Sequence, residues 1–330
     1  MDIVNPLPRW RGFNLLEMYT QWHHEDFHED DFRWLADWGF DFVRIPMSYR
    51  LWVEAGDFST GREEVLARVD RAVELGGKYG VHVMLNLHRA PGYCVNPPAE
   101  PFNLWKDEEG LAAFCAQWRL FARRYRGIPS TRLSFNLVNE PPAPGELMSR
   151  ADHERVIRAA TMAIREEDPE RLIVADGIMY GNMPCPELAD LKIAQSCRAY
   201  LPMGLSHYRA GWVKGSEQWP VPVWPGARHF GRPFDRETLA EHYGRWAELM
   251  KDGVGVFCGE GGAYKHTPHE VFLAWLADVL EILASLKIGY ALWNFRGDFG
   301  VLDSGRADVD YEDWHGHKLD RKMLELLQRF

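Results

Sequence analysis

Short apolar runs rich in β-branched and aromatic residues alternate with longer stretches of helical periodicity along the whole chain. The strand-like runs lie near residues 10–15, 41–46, 81–88, 132–139, 171–176, 191–198, 254–259 and 288–294. Helix-like stretches fall between them, near 28–38, 62–79, 108–126, 149–167, 235–251 and 268–286, with a last one near 316–328. After residue 176 there is only a short helical piece, near 184–190. Strands separated by helices pair in parallel through crossovers, so the helices must cover the sheet from outside. Phe42, Val43, Ile45 and the run from Val81 to Leu85 read as strands buried on both faces, as parallel sheets require. Gly39, Gly80, Gly127 and Gly253 punctuate the helix ends. Eight such strands predict a closed (β/α)8 TIM barrel rather than an open doubly wound sheet. The first strand also lacks a glycine-rich dinucleotide fingerprint, reading Arg11-Gly12-Phe13-Asn14. At 330 residues the expectation is a single α/β domain, 1–330, with long loops at the C-terminal face of the barrel.

Charge and cysteine content narrow the partners. The formal net charge is −10, which argues against nucleic acid or an anionic membrane, since both need a basic surface. Five scattered cysteines (Cys94, Cys115, Cys185, Cys197, Cys258) form no CxxC pair, which speaks against a disulfide framework or a structural zinc site. The first residues show neither a basic nor an apolar leader segment, and no apolar run approaches a membrane span. The expected location is therefore cytoplasmic. Nothing in the pattern speaks to oligomeric state.

In a parallel barrel, residues at the C-terminal ends of the strands line the site. Strand 2 closes with Arg44, strand 3 with His88, strand 4 with Asn139-Glu140-Pro141-Pro142, strand 6 with Arg198-Ala-Tyr200, strand 7 with Glu260 and strand 8 with Trp293-Asn294. Any one of these has an ordinary structural explanation: a loop charge, a rim histidine, a packed tryptophan. Their coincidence at one end points instead to chemistry. Two carboxylates facing each other across a barrel mouth, amid hydrogen-bond donors and an aromatic ring, suit glycoside hydrolysis. Asn139 and Glu140 are adjacent and would alternate on a regular strand, but Pro141 drives Glu140 away from right-handed helical geometry. The resulting break can turn both side chains toward the mouth. Two long connections, 89–107 and 201–234, are rich in Pro, Gly and Trp and are expected to wall the site.

These pieces resemble glycoside hydrolase family 5, the cellulase-like retaining enzymes. The resemblance runs from about Arg11 to the C-terminus and rests on four stretches in order: Gly39 to Pro46, Leu137-Val-Asn139-Glu140-Pro141, Gly259-Glu260-Gly261-Gly262 and Leu292-Trp293-Asn294-Phe295. It implies that Glu140 is the general acid/base and Glu260 the nucleophile. Arg44 and Asn139 would bind near the nucleophile and the sugar 2-hydroxyl, His88 would line the subsite, and Tyr200 would hydrogen-bond the nucleophile. Trp293 would form the floor under the sugar, with a peptide bond to Asn294 that is often cis in the family. No cofactor or metal is implied, and the substrate would be an oligosaccharide or polysaccharide of β-linked glucose or mannose.

The sequence departs from the family at two points. Arg198 occupies the slot where the family usually has His, with His207 as a further residue near the site. Gly261 follows the nucleophile where many members have Phe. A permanent cation at 198 should keep Glu260 ionised while working against protonation of Glu140. Two rivals follow: a catalytically impaired carbohydrate-binding barrel, and a metal-dependent barrel hydrolase. The second is disfavoured because strand 1 ends without a ligand pair, and the cluster from Trp22 through His23, His24, Glu25 and Asp26 reads as rim rather than metal site. Among the tryptophans, Trp34, Trp38, Trp118, Trp246 and Trp275 fall in helical patterns and should be core. Trp22, Trp105, Trp212, Trp219 and Trp224 fall in loops and are candidates for the cleft.

Overall fold

The computed structural model describes residues 4–22, 24–54 and 56–330. Eight parallel strands close into a barrel: β1 (Arg11–Asn14), β2 (Phe42–Ser48), β3 (His82–Arg89), β4 (Leu133–Asn136), β5 (Leu172–Asp176), β6 (Ala194–Ala199), β7 (Val256–Gly261) and β8 (Gly289–Leu292). They follow one another around the barrel in chain order, and β8 pairs with β1 to close it, Arg11 opposite Tyr290. The helices outside are α1 (Glu29–Asp37), α2 (Glu63–Tyr79), α3 (Glu108–Arg124), α4 (Arg150–Glu167), α5 (Arg236–Met250), α6 (His269–Ser285) and α7 (Arg321–Gln328). No helix among the described residues is long and apolar enough to cross a membrane.

The alternation of side chains along each strand divides the barrel in two. Outward residues such as Val43, Ile45, Val83, Leu85, Phe135 and Ile173 join the helices in the main hydrophobic core. Inward residues near the strand starts, Phe42, Met84, Val174, Ala194 and Phe257, pack with Trp10 and Ala291 as an apolar plug. Two residues further along the same strands the inward positions turn polar: Arg44, Asn86, Asp176 and Ser196, all buried. The barrel therefore changes from oil to charge within one pleat. The five helix-pattern tryptophans are all core, as expected.

Several details differ from the sequence expectation. β4 stops at Asn136 rather than 139, because the chain leaves the ladder to place Asn139 and Glu140. The last helix begins only at Arg321, since Glu312–Trp314 and His317–Leu319 pair as an antiparallel hairpin before it. A second small hairpin, Arg228–His229 with Arg232–Pro233, lies inside the 201–234 connection.

β1 and β2 approach so closely that a Cβ on Gly12 would lie 1.7 Å from the Phe42 carbonyl oxygen. Gly12→Ala should therefore destabilise the fold by about 3 kcal/mol, read as a lower midpoint in urea unfolding.

Candidate active site

The strand ends converge on a buried cluster of charges. Arg44, fully buried on β2, donates from Nη1 to Glu260 Oε2 (2.6 Å) and Asn14 Oδ1 (2.9 Å), from Nη2 to Asn139 Oδ1 (2.7 Å) and from Nε to Asn136 Oδ1 (2.9 Å). Arg198, fully buried on β6, donates from Nε to Glu140 Oε1 (3.0 Å) and from Nη2 to Asn139 Oδ1 (3.0 Å) and to Asp176 Oδ2. The same Nη2 lies 3.5 Å from Glu260 Oε2. One guanidinium thus touches both carboxylates that the sequence singles out. Tyr200 completes the surround, its hydroxyl donating to Glu260 Oε1 (3.2 Å). Burial and the nearby negative charges of Glu260 and Glu140 push the Tyr200 phenol well above its ordinary range, so it stays a donor.

Glu140 reaches the cluster through an unusual backbone. Its φ is +49°, in the left-handed region, and its N–H donates to Asp176 Oδ2 (2.9 Å). Pro141 bars the right-handed alternative, and the Asp176 carboxylate holds the peptide that results. Burial and then the charge of Glu260 raise the Glu140 carboxyl from 4.5 to about 8, against the opposing pull of Arg198. Arg198 works against protonation of Glu140, as expected of a cation there, but burial and the charge of Glu260 outweigh it.

An open cleft of about 1920 Å³ lies over this cluster. Glu140, Glu260, His88, Tyr200, His207 and Trp293 line it, while Arg44, Asn139 and Arg198 support the floor from beneath. His88 is wedged edge-on against Tyr19 (4.8 Å between ring centres) and near Trp293 (5.6 Å); burial holds it well below its ordinary value and therefore neutral. His207 accepts or donates with Ser206 Oγ (2.8 Å) and stands edge-on to Tyr200, and burial lowers it to about 4. Asn139 Nδ2 has no partner among the described residues, although its oxygen serves both guanidinia. The Trp293 backbone N–H donates to the Gly261 carbonyl (2.8 Å). The Trp293–Asn294 peptide is not among the cis bonds of the described residues, all of which precede proline.

Asp176 and Asn14 belong to the cluster but escape the strand-end reading, although both close a strand and were open to the same rule. Of the loop tryptophans, Trp212 lines the cleft, whereas Trp105 is wholly buried against Tyr93 and His153. The 201–234 connection supplies much of one wall; from 89–107 only Val95 and Asn96 reach it. His23 lies outside the described residues, and His24 instead contacts the Arg68 guanidinium (2.9 Å). The grouping of possible metal ligands found among the described residues, His153, Cys185 and Glu187, does not line the cleft.

A parallel barrel with paired carboxylates at its mouth, under an open cleft, is the architecture of an O-glycosyl hydrolase, and the comparisons agree. The cellulase model, glycosyl hydrolase family 5, matches residues 6–298, and the chain belongs to that family. Endoglucanase C of Acetivibrio thermocellus is 26% identical over 323 residues, 90% of this chain and 92% of that protein. A crystal structure described as a glycoside hydrolase is 40% identical with a TM-score of 0.93, covering 97% of this chain and 99% of that one. Cel5A of Thermotoga maritima, solved with cellobiose, is 25% identical with a TM-score of 0.77 and 97% coverage of each chain.

The electrostatics give a pH dependence with a definite sign. Glu140 keeps its proton below about 8 and loses it above, so kcat/KM should fall on the alkaline side near pH 8. Asp176→Asn removes a negative charge that helps hold that proton and should move this limb to lower pH. Arg198→Gln removes the opposing cation and should move it higher. Rate profiles of the three proteins test both shifts.

Proposed function

We propose that the chain cleaves β-linked gluco- or manno-oligosaccharides with retention of configuration, as one domain, Glu140 serving as acid/base and Glu260 as nucleophile. The observation that carries this reading is the environment of the pair. Glu260 is ion-paired with Arg44 and oriented by Tyr200, while Glu140, within reach of the same Arg198, is held protonated at neutral pH. A carboxyl held protonated beside one paired with a guanidinium suits an acid and a nucleophile acting on one glycosidic bond.

In this scheme a Glu260 oxygen bonds the anomeric carbon as the bond to the leaving oxygen breaks, and the Glu140 proton passes to that oxygen. Water then attacks the same carbon, its proton returns to Glu140, and the Glu260 ester is released. Asn139 Nδ2, a buried donor without a partner, is suited to a hydroxyl of the bound sugar. Trp293 offers a flat face to the apolar side of a pyranose. Glucose as the preferred sugar is supported by the names of the relatives, an endoglucanase and a cellobiose complex among them.

Glu260→Ala should abolish turnover of cello-oligosaccharides while leaving binding measurable by calorimetry. Glu140→Ala should lower kcat/KM by about a hundred- to ten-thousand-fold. Proton NMR of the first product should show the retained anomer; an inverted first product overturns the double displacement, and binding without turnover by the wild type overturns the enzymatic reading of the pair.

A further inference from the structure

Away from the cleft, three side chains of metal-ligating type meet where α4 packs on the connection from β5 to β6. His153 stands near the start of α4, and Cys185 and Glu187 flank Pro186 at the entry to the 3-10 turn Pro186–Leu191. One donor atom from each, an imidazole nitrogen, the thiol sulfur and a carboxylate oxygen, all lie within 4.8 Å of one another. Only the fold brings His153 to the Cys-Pro-Glu run, so no spacing motif announces the group.

His153 is the telling member. Its ring is fully buried, yet neither nitrogen has a hydrogen-bond partner among the described residues. A neutral imidazole carries one N–H and one lone pair, and to bury both unpaired is costly unless something else engages the ring. Trp105 packs against it at 5.8 Å between ring centres. Cys185 is equally buried and is gripped by Gln195, which accepts from its backbone N–H (2.9 Å) and donates to its carbonyl (2.7 Å). Glu187 closes the group from the solvent side, its half-buried carboxylate paired with Arg150 Nη1 (3.0 Å). That guanidinium is itself exposed, so it can give up its place to another cation.

The donor set names the class of ion. Hard cations such as calcium and magnesium take oxygen ligands, whereas nitrogen, sulfur and oxygen together suit zinc. Ligand atoms around a tetrahedral zinc lie about 3.3–3.6 Å apart, so the group must draw in by about 1 Å, within reach of a rotation of Glu187. None of the three residues lines the cleft, which separates this group from the sugar chemistry.

We propose that His153, Cys185 and Glu187 bind a zinc-type divalent cation that ties α4 to the β5–β6 connection, with water as the fourth ligand. As the sulfur–metal bond forms, the Cys185 thiol releases its proton to solvent, and the Glu187 carboxylate exchanges Arg150 for the metal. The role is structural and independent of the carboxylates at the barrel mouth.

The test starts from the whole chain stripped of metal by a chelator. Cobalt(II), the spectroscopic stand-in for zinc, should give the near-ultraviolet charge-transfer band of a thiolate-bound ion in wild type and not in Cys185→Ser. Zinc followed by calorimetry should bind at one equivalent and raise the melting temperature. Glu187→Gln keeps the side-chain size at a half-buried position, so it should fold whatever befalls the buried variant, and it should weaken zinc by about tenfold or more. No cobalt band in wild type, or a band that Cys185→Ser retains, overturns the site. Equal zinc affinity in wild type and Glu187→Gln shows an adventitious ion only and overturns it as well.

Discussion

Two guanidinium groups and three carboxyl groups share one buried space at the barrel mouth: Arg44 and Arg198 with Asp176, Glu140 and Glu260. Charges removed from water must be matched, because an unmatched one costs about 3–5 kcal/mol when its partner is deleted. Two cations balance two anions, so the third acid is best left neutral. The acid that stays neutral is Glu140, the one raised to about 8. Much of the local structure serves this balance: the polar layer above the apolar plug, the left-handed peptide at Glu140, and the hydrogen bonds that hold Asn136 and Asn139 between the charges.

The same balance survives the proposed reaction. When Glu260 becomes an ester it loses its charge, and Glu140, having given up its proton, gains one. Arg198 lies against both, 3.0 Å from one and 3.5 Å from the other. The negative charge changes owner without leaving the guanidinium that compensates it, so the buried cluster stays neutral at each stage. A rigid donor set that needs no rearrangement during the step is a recognised source of catalytic power.

Much of this was legible in the sequence. The eight strands stood out because a parallel barrel buries both faces of each strand, and the runs come at regular intervals. Glu140 and Glu260 stood out because strand ends are where such barrels do chemistry. Asp176 closes a strand and was open to the same rule, but its role was not legible: it acts through Arg198 and the Glu140 peptide, and a lone Asp after Val-Ala carries no signature of those partners. The departure at Arg198 was visible and its pull on Glu140 has the expected sign, but a sequence shows a charge and not the desolvation that outweighs it. Trp105 was read as a cleft residue because its segment looks irregular, but that segment folds inward onto Tyr93 and His153. The two hairpins, of two- and three-residue strands, are too short for any periodicity to register.

The residue at 198 has a last consequence. An imidazole in that place, as is usual in the family, would exchange hydrogen with its neighbours near neutrality and split the resting protein among several tautomeric forms. A guanidinium holds its hydrogens at every physiological acidity. The hydrogens that position 198 turns toward Glu140, Asn139 and Asp176 are therefore fixed before any sugar arrives.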